Sequence, residues 1–259
     1  YDPDFYYDLN KQHPLFNEWP FDLLSKNPFT KKVELSTVKN AIEDIKNIDS
    51  ITSPDNYVKT INKLSSSLNT LSKYKKGIPK NHEPRSNNSR VKARFNLYQV
   101  ISKLTDKKII NNLKAFIKNP DTNKLDESTF NKLKYIVFLT DSGDKKSYQS
   151  KEDLEKFLTS IRTKKQTQRA LVADLCAPAA LSIPDDACHY DKNQLRTLTV
   201  REMARIQSFP DRFEFKSKIT TGGKMRRFEV PQYTQVGNAV PPLLGMALGM
   251  VCKEFLSIE

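Results

Sequence analysis

Hydrophobic residues recur every three or four positions in several stretches of the chain, which is the spacing of an amphipathic helix. In the first stretch Leu35-Ser36-Thr37 precedes the apolar stripe of Val38, Ile42 and Ile45, which predicts a capped helix. The same spacing predicts further helices over residues 58–71, 95–104, 109–117, 130–139 and 153–161. The first two thirds of the chain therefore predict short helices with solvated lysine faces.

Two helices are also predicted in the last third. Thr199 and Glu202 have the spacing of a capping box, and Phe209-Pro210 should end the helix that this box opens. A final helix should start at Pro241-Pro242, since proline suits the first helical turn. Its apolar stripe consists of Leu244, Leu248, Val251 and Phe255.

The charge of the chain lies in its middle. The 259 residues carry a net charge of +13, and 37% of them are hydrophobic, enough for a core. Residues 1–50 sum to −3, residues 51–170 to +15 and residues 171–259 to +1. A basic region of this size favours a polyanionic partner, with nucleic acid ahead of an anionic membrane.

Other features narrow the class of protein. No apolar run approaches the roughly 18 residues of a membrane span, and residues 1–20 lack the pattern of a signal peptide, so a cytoplasmic protein without a membrane partner is expected. Cys176, Cys188 and Cys252 fit neither a disulfide framework nor a zinc pair, and no metal is expected. The chain opens at Tyr1, which is expected of a processed, truncated or split product.

Two segments carry a resemblance to a known family. Residues 196–211 (RTLTVREMARIQSFPD) and 233–242 (YTQVGNAVPP) closely resemble the last two conserved motifs of the DNA cytosine-5 methyltransferases. The intervening residues 220–232 resemble the link between these motifs in one branch. Weaker similarity extends to residues 81–85 and 167–186, whereas residues 1–75 carry none.

The resemblance implies methyl transfer from S-adenosylmethionine to C5 of cytosine in double-stranded DNA. Family enzymes attack the flipped base with the cysteine of a Pro-Cys pair and protonate it with a glutamate. This sequence has no Pro-Cys pair, no Glu-Asn-Val triplet, and no glycine before Gly77 that could open a cofactor domain. No catalytic residue is therefore predicted in this chain, and a catalytic partner subunit or a missing N-terminal domain is expected.

A cofactor-binding role is predicted for Asn238 and Val240, because the resemblance places both beside the methyl donor. Asn238 is expected in a tight Gly-Asn turn ahead of the final helix, whose positive end could meet the carboxylate of the cofactor. A simple helix-entry turn is the alternative interpretation.

Long polar side chains in the basic region are candidates for DNA contact, because they can reach phosphates and base edges. The candidates are Arg85, Arg90, Lys165, Gln168 and Arg169. A solvated basic loop would have the same composition. Arg94, at helical spacing before Phe95, is interpreted either as a DNA contact or as a residue flanking a buried face.

Two tempting catalytic patterns are interpreted structurally. Arg201, Glu202 and Arg205 are expected to support the fold, with the arginines pairing with acidic neighbours or phosphates. Cys188-His189 is expected to lie in a polar loop and not to form a nucleophilic dyad.

The predicted fold is α/β, with a helix-rich target-recognition region and a C-terminal segment that completes a doubly wound, Rossmann-like methyltransferase domain. We assign residues 1–195 to target recognition, 196–232 to a support motif and linker, and 233–259 to the returning segment. Two alternatives remain open: a stand-alone DNA-binding module or methyltransferase remnant, and a helical protein that binds RNA or protein through its lysines.

Overall fold

A computed structural model describes residues 35–47, 50–64, 77–163, 168–178, 187–220, 225 and 228–256. All elements named below belong to the unit that spans residues 36–259. The helices are α1 (Val38–Ile42), α2 (Asn56–Leu64), α3 (Ser89–Ile101), α4 (Lys107–Lys118), α5 (Glu127–Leu133), α6 (Lys151–Ser160), α7 (Val200–Ile206), α8 (Gln232–Asn238) and α9 (Pro242–Leu256). A 3₁₀ turn, Glu43–Ile45, follows α1.

The strands within the described ranges are short. Phe138–Leu139 (β1) pairs antiparallel with Lys145–Lys146 (β2), and Arg169–Ala170 (β3) pairs parallel with Ala187–Cys188 (β4). The predicted helix over residues 130–139 is thus wrong at its C-terminal end, because α5 stops at Leu133 and the chain enters a hairpin. Gly143, at φ +98°, supplies the left-handed turn residue of that hairpin.

Side-chain caps explain where the helices begin. Thr37 accepts the N–H of Asn40, and Asn88, Asp106, Asp126 and Ser150 cap α3, α4, α5 and α6 in the same way. Each cap satisfies a backbone donor that the first helical turn leaves unpaired. The predicted helices at residues 109–117 and 153–161 are confirmed, that over 95–104 is confirmed to Ile101, and that over 38–45 becomes a 3₁₀ turn at Glu43. The helix predicted over 58–71 is confirmed to Leu64, and residues 65–76 lie outside the described residues.

Hydrophobic residues form two main cores. The support core joins α1 to α7 and α8, and its buried members include Ile42, Leu198, Ala204 and Tyr233. The middle core lies among α3 to α6 and the β1–β2 hairpin, and Leu113, Leu154 and Phe138 are among its fully buried residues. A small apolar patch of Phe95, Ala170 and Cys188 packs α3 against β3 and β4. The middle core thus holds residues 93–161 as a lobe beside the support core.

The last helix has a different environment. No residue of α9 is buried, and the predicted stripe residues Leu244, Leu248, Val251 and Phe255 are each at least 40% exposed. Together with α8 it forms the one described stretch, Gln232–Leu256, that is long and apolar enough to span a membrane by composition. The expectation that no stretch approaches that length is therefore wrong. However, Ala239 is extended and separates the two helices, and 15 residues of α9 span only about 22 Å, short of a roughly 30 Å hydrocarbon core.

Candidate functional site

The residues around α7 form a buried ionic network. Arg196 donates to both carboxylate oxygens of Glu202, at 2.7 and 2.8 Å, and Arg205 holds both oxygens of Asp211 at 2.7 Å. A third carboxylate, Asp44, lies 2.6 Å from Arg205. These bidentate bonds supply the pairing that a buried charge requires.

Arg201 is fully buried, and within the described residues its guanidinium has no carboxylate partner, so the predicted pairing with an acidic neighbour is wrong for this arginine. Its guanidinium donates to the carbonyls of Lys80, at 2.8 Å, and Pro210, at 3.0 Å, and also to that of Phe213. Burial lowers the pKa of Arg201 to about 10, so the side chain remains charged at neutral pH. The guanidinium therefore ties the segment before Asn81 to the loop after α7, and the support interpretation of Arg201 and Arg205 is confirmed.

The capping box of α7 is present as predicted. Thr199 Oγ1 accepts the N–H of Glu202 at 3.1 Å, and the Glu202 carboxylate accepts the N–H of Thr199 at 2.8 Å. The α7 helix ends at Ile206, close to the predicted stop, and Ser208 adopts a left-handed φ of +63°. Bonds to Arg196 counteract the desolvation of Glu202 and hold its pKa below the ordinary value. The box thus fixes both the start of α7 and the position of the ionic network.

His82 and His189 are both buried, and the burial of His189 corrects its expected place in a polar loop. His82 lies between Thr199 Oγ1 (2.9 Å) and the carbonyl of Ile45 (2.7 Å). His189 Nδ1 accepts the N–H of Asp191, and its Nε2 faces Glu202 at 3.8 Å without a hydrogen bond. Burial lowers the pKa of His189 to about 4, so the ring is neutral near pH 7. Across the described ranges no three metal-ligating side chains lie together.

Cys188 does not have the properties of a nucleophile. It lies in β4 with 1% exposure, not in a loop, and burial raises the pKa of its thiol to about 12. A thiol that stays protonated at neutral pH attacks poorly. The interpretation of Cys188-His189 as non-catalytic agrees with this environment.

Asn238 and Val240 lie on the solvent side of the segment between α8 and α9. Asn238 is the last residue of α8, so the predicted Gly-Asn turn is wrong: Gly237 and Asn238 end a helix. Val240 is 63% exposed. The neighbours Gly237, Ala239 and Pro241 instead line a cleft of about 440 Å³ with α1 and the end of α7. The predicted cofactor residues therefore face away from this cleft.

The positive end of α9 offers fewer donors than predicted. Pro241 and Pro242 have no N–H, and the amide of Leu243 donates to Ser208 Oγ at 3.0 Å. Of the first turn, the N–H of Leu244 has no backbone acceptor among the described residues, and the carboxamide of Asn238 is exposed at the end of α8. These two donors suit a carboxylate, and Val240 offers an apolar contact, so the residues fit the amino-acid part of S-adenosylmethionine.

Four of the five predicted DNA contacts fall within the described residues. Arg90 lies exposed in the first turn of α3, and Arg169 lies exposed on β3, the strand that packs against α3. Gln168 accepts a hydrogen bond from Tyr98 on α3 at 3.3 Å, and Arg85 lies half-buried ahead of α3. Lys165 lies outside the described residues. The structure thus brings Arg90, Gln168 and Arg169 to neighbouring elements.

Sequence reasoning missed the role of the residues ahead of α3. Asn81, in a left-handed conformation at φ +66°, donates to the carbonyl of Phe215 and accepts its N–H, each at 2.9 Å. It also contacts Gln232 and Arg201. The sequence feature that could have indicated this role is the Asn81-His82 pair, since both residue types readily form hydrogen bonds.

The comparison with protein families identifies the chain. The family model of C-5 cytosine-specific DNA methylase matches residues 9–254, and the chain belongs to this family. The match reaches into the N-terminal residues that the motifs left uncovered. Family membership implies a Rossmann-like α/β methyltransferase fold. The described residues of this chain form helices and short strands.

Curated relatives are similar over shorter stretches. Type II methyltransferase M.Bpa9945I of Bacillus paralicheniformis is 45% identical over 69 residues, covering 27% of this chain and 13% of that protein. M.DdeI of Desulfomicrobium norvegicum is 47% identical over 73 residues, 28% of this chain and 17% of the relative. M.AquIB of Picosynechococcus is 44% identical over 62 residues, 24% of this chain and 45% of the relative. The matched part is thus less than a fifth of the first two relatives.

Proposed function

We propose that this chain is the C-terminal portion of a DNA cytosine-5 methyltransferase of the restriction-modification type. In this proposal it recognises a specific sequence in double-stranded DNA and completes an enzyme that transfers methyl from S-adenosylmethionine to C5 of cytosine. The nucleophilic cysteine comes from an upstream part or a partner subunit. The observation that carries the proposal is the apolar helix α9, which has no buried residue and directly follows the motif at residues 233–242.

The exposed face of α9 requires a cover. Leu244, Leu248, Met250 and Leu256 are 51% to 76% exposed, and an apolar patch of this kind on a soluble protein marks an interaction surface. The resemblance assigns this helix to the catalytic domain, so the sheet of that domain is the proposed cover. A match of similar length covers 45% of M.AquIB but 13% of M.Bpa9945I, so family relatives differ widely in length. That difference supports a catalytic half on a separate or upstream segment.

The proposal divides the chain into three parts. Residues 1–195 serve target recognition, residues 196–232 support that region, and residues 233–259 return to the catalytic domain. The ionic network of α7 supports the middle assignment, since every charged partner in it is internal to this chain. The exposure of α9 supports the last.

Asn238 and Val240 are the proposed contribution of this chain to the cofactor site. When bound, S-adenosylmethionine supplies the methyl group, and no metal is required. The Asn238 carboxamide orients the amino-acid part by donating to its carboxylate, and Val240 shields it from water. Both residues lie beside α9, so the site closes when the catalytic domain covers that helix.

Target recognition is proposed for Arg85, Arg90, Lys165, Gln168 and Arg169. Arginine can form two bonds to the edge of guanine, and glutamine two to adenine, whereas lysine neutralises phosphate. Arg90 and Arg169 are exposed on adjoining elements, which supports a common DNA-facing patch.

The test is to purify the full chain with an affinity handle from its source and identify associated chains by mass spectrometry. We expect a partner, or a longer form of this chain, that carries a Pro-Cys motif and a Gly-rich cofactor loop. The recovered complex should transfer labelled methyl to DNA. Recovery of the chain alone, bound to DNA and without methyl transfer, would favour a stand-alone binding module or remnant.

Asn238→Ala should weaken the affinity of that complex for S-adenosylmethionine about tenfold, because one charge-assisted hydrogen bond is lost. Isothermal titration would measure this affinity, and DNA binding should not change. Asn193→Ala is a matched control, since Asn193 is also exposed but lies far along the chain in the loop after β4. Equal cofactor affinity for wild type and Asn238→Ala would remove the assignment.

Arg169→Ala should weaken DNA binding and reduce the slope of log affinity against log salt by about 0.9 if one phosphate contact is lost. If Arg169 reads a base, sequence preference should relax instead. Lys156→Ala, which removes an exposed cation from α6, is the control. Identical footprints and salt slopes for Arg169→Ala and wild type would exclude Arg169 from the interface.

A further inference from the structure

One face of α3 carries Arg90, Arg94 and Tyr98 at intervals of four residues. Residues four apart lie one above the other along a helix, so these side chains form a single row. Their environments differ along the row. Arg90 is exposed at the N-terminal end, whereas Arg94 and Tyr98 are partly buried.

Arg94 holds the end of α6. Its Nε donates to the carbonyl of Ile161 at 2.8 Å, and its Nη2 donates to the carbonyl of Arg162 at 3.3 Å. Ile161 is the C-cap of α6, whose last carbonyls have no partner within the helix. A cation at this position also interacts favourably with the negative end of the helix dipole. The Arg94 side chain therefore joins α3 to α6 and does not project toward solvent as a DNA contact.

Tyr98 contacts the chain that follows residues 164–167, whereas Arg94 contacts the chain that precedes them. Its hydroxyl donates to Gln168 Oε1 at 3.3 Å, and its ring packs with the Phe95, Ala170 and Cys188 patch. The ring lies one helical turn, about 6 Å along the axis, from Arg94. The chain before residues 164–167 is thus fixed to Arg94 and the chain after them to Tyr98, one and two helical turns along the row from Arg90.

We infer that Arg94 and Tyr98 are positioning residues for DNA sequence recognition. They fix Arg162 and Gln168 against α3, so that Gln168 and Arg169 are held at one defined spacing from Arg90 on the same helix. Base readout depends on such spacing, because bidentate bonds to base edges tolerate little displacement, whereas phosphate attraction tolerates more. This inference rests on the proposed role of the chain in target recognition.

The test separates sequence selectivity from general DNA affinity. The probes are a pool of duplexes with randomised central base pairs and the sequence that the wild-type complex enriches from that pool. Tyr98→Phe removes one hydroxyl but keeps the ring, and Arg94→Met removes both bonds to the end of α6. We expect each variant to lose roughly tenfold in preference for the enriched sequence, and less than about twofold in affinity for the pool.

Matched variants distinguish positioning from stability. Tyr148→Phe makes the same chemical change in the middle core, and it should leave selectivity unchanged. Arg94→Lys retains one donor and the charge, so it should recover part of the selectivity that Arg94→Met loses. Thermal unfolding of Tyr98→Phe should stay close to that of wild type.

Three outcomes would overturn the inference. If the wild-type complex enriches a sequence and Tyr98→Phe and Arg94→Met retain the same preference, the row on α3 does not set recognition. The same conclusion holds if both variants lose pool affinity and selectivity equally. If the wild-type complex enriches no sequence at all, the proposed target-recognition function itself is wrong, and the inference is wrong with it.

Discussion

The α7 helix buries charged side chains, whereas the α9 helix exposes apolar ones. Arg201 and Arg205 of α7 are at most 2% exposed, whereas Leu248 and Met250 of α9 are 55% and 58% exposed. Every partner of the buried arginines lies within this chain, and nothing in the described structure covers the leucines. The support core thus closes on residues of this chain, whereas the apolar side chains of α9 have no core of their own among the described residues.

The largest expected loss of stability comes from breaking the buried ion pairs of α7. Arg205→Met leaves Asp211 and Asp44 buried without their cation, and it should lower the free energy of unfolding by about 3–5 kcal/mol. Urea denaturation of the full chain measures this loss. The control is Arg90→Met, which changes an exposed arginine and should cost less than about 0.5 kcal/mol. Equal stability of the two variants would show that the network of α7 does not stabilise the fold.

The apolar side can be tested with two leucines. Leu198→Ala in the support core should cost about 2–5 kcal/mol, because it opens a cavity next to Tyr233. Leu248→Ala should leave the unfolding free energy of the isolated chain within about 0.5 kcal/mol, since the side chain is already exposed. Leu248→Glu should in turn abolish recovery of the catalytic partner in the affinity purification. A large loss of stability for Leu248→Ala in the isolated chain would contradict the open face of α9.

A smaller effect, the pH dependence of the unfolding free energy, should come from His189, which faces Glu202 of α7. The pKa of His189 is lowered to about 4 by burial, against roughly 6.5 in the unfolded chain, despite the nearby carboxylate of Glu202. Because the unfolded state binds the proton more tightly, this contribution to stability is fully present above about pH 6.5 and is lost as the pH falls toward 4.

Unfolding of His189→Gln and wild type, measured at several pH values, checks this. The variant should show a shallower fall in stability, by up to about 1.4 kcal/mol per pH unit in this range. His82, whose pKa is also lowered by burial, remains in both proteins and provides the common background. Parallel pH profiles would show that His189 does not contribute to acid sensitivity.

Local patterns predicted from the sequence agree best with the structure. The caps at Thr37 and Thr199 depend on residues three positions apart, and both helices start where these pairs indicate. The β1–β2 hairpin was missed because two-residue strands are too short for alternation of polar and apolar residues to show. The Gly237-Asn238 pair suggested a turn ahead of the final helix, but α8 extends to Asn238.

The candidate site was predictable only in part. Asn238, Val240, Arg90 and Arg169 were identified by motif resemblance and charge, and they remain predictions. The side-chain row on α3 and the hydrogen bonds around α7 depend on contacts between residues far apart in the sequence. Examples are the bonds from Arg94 to Ile161 and from Phe215 to Asn81, which no local pattern encodes. For the same reason the sequence left two interpretations open for Arg94, which the bonds to the end of α6 distinguish.

The exposure of Asn238 and Val240 has a thermodynamic consequence under the proposed function. If these residues bind the cofactor only when the catalytic domain covers α9, then cofactor binding and assembly are linked, and each must strengthen the other by the same factor. A cofactor present at 100 times its dissociation constant would stabilise the assembled state by about 2.7 kcal/mol. Intracellular S-adenosylmethionine would then set not only the rate of methylation but also the fraction of this chain that is assembled.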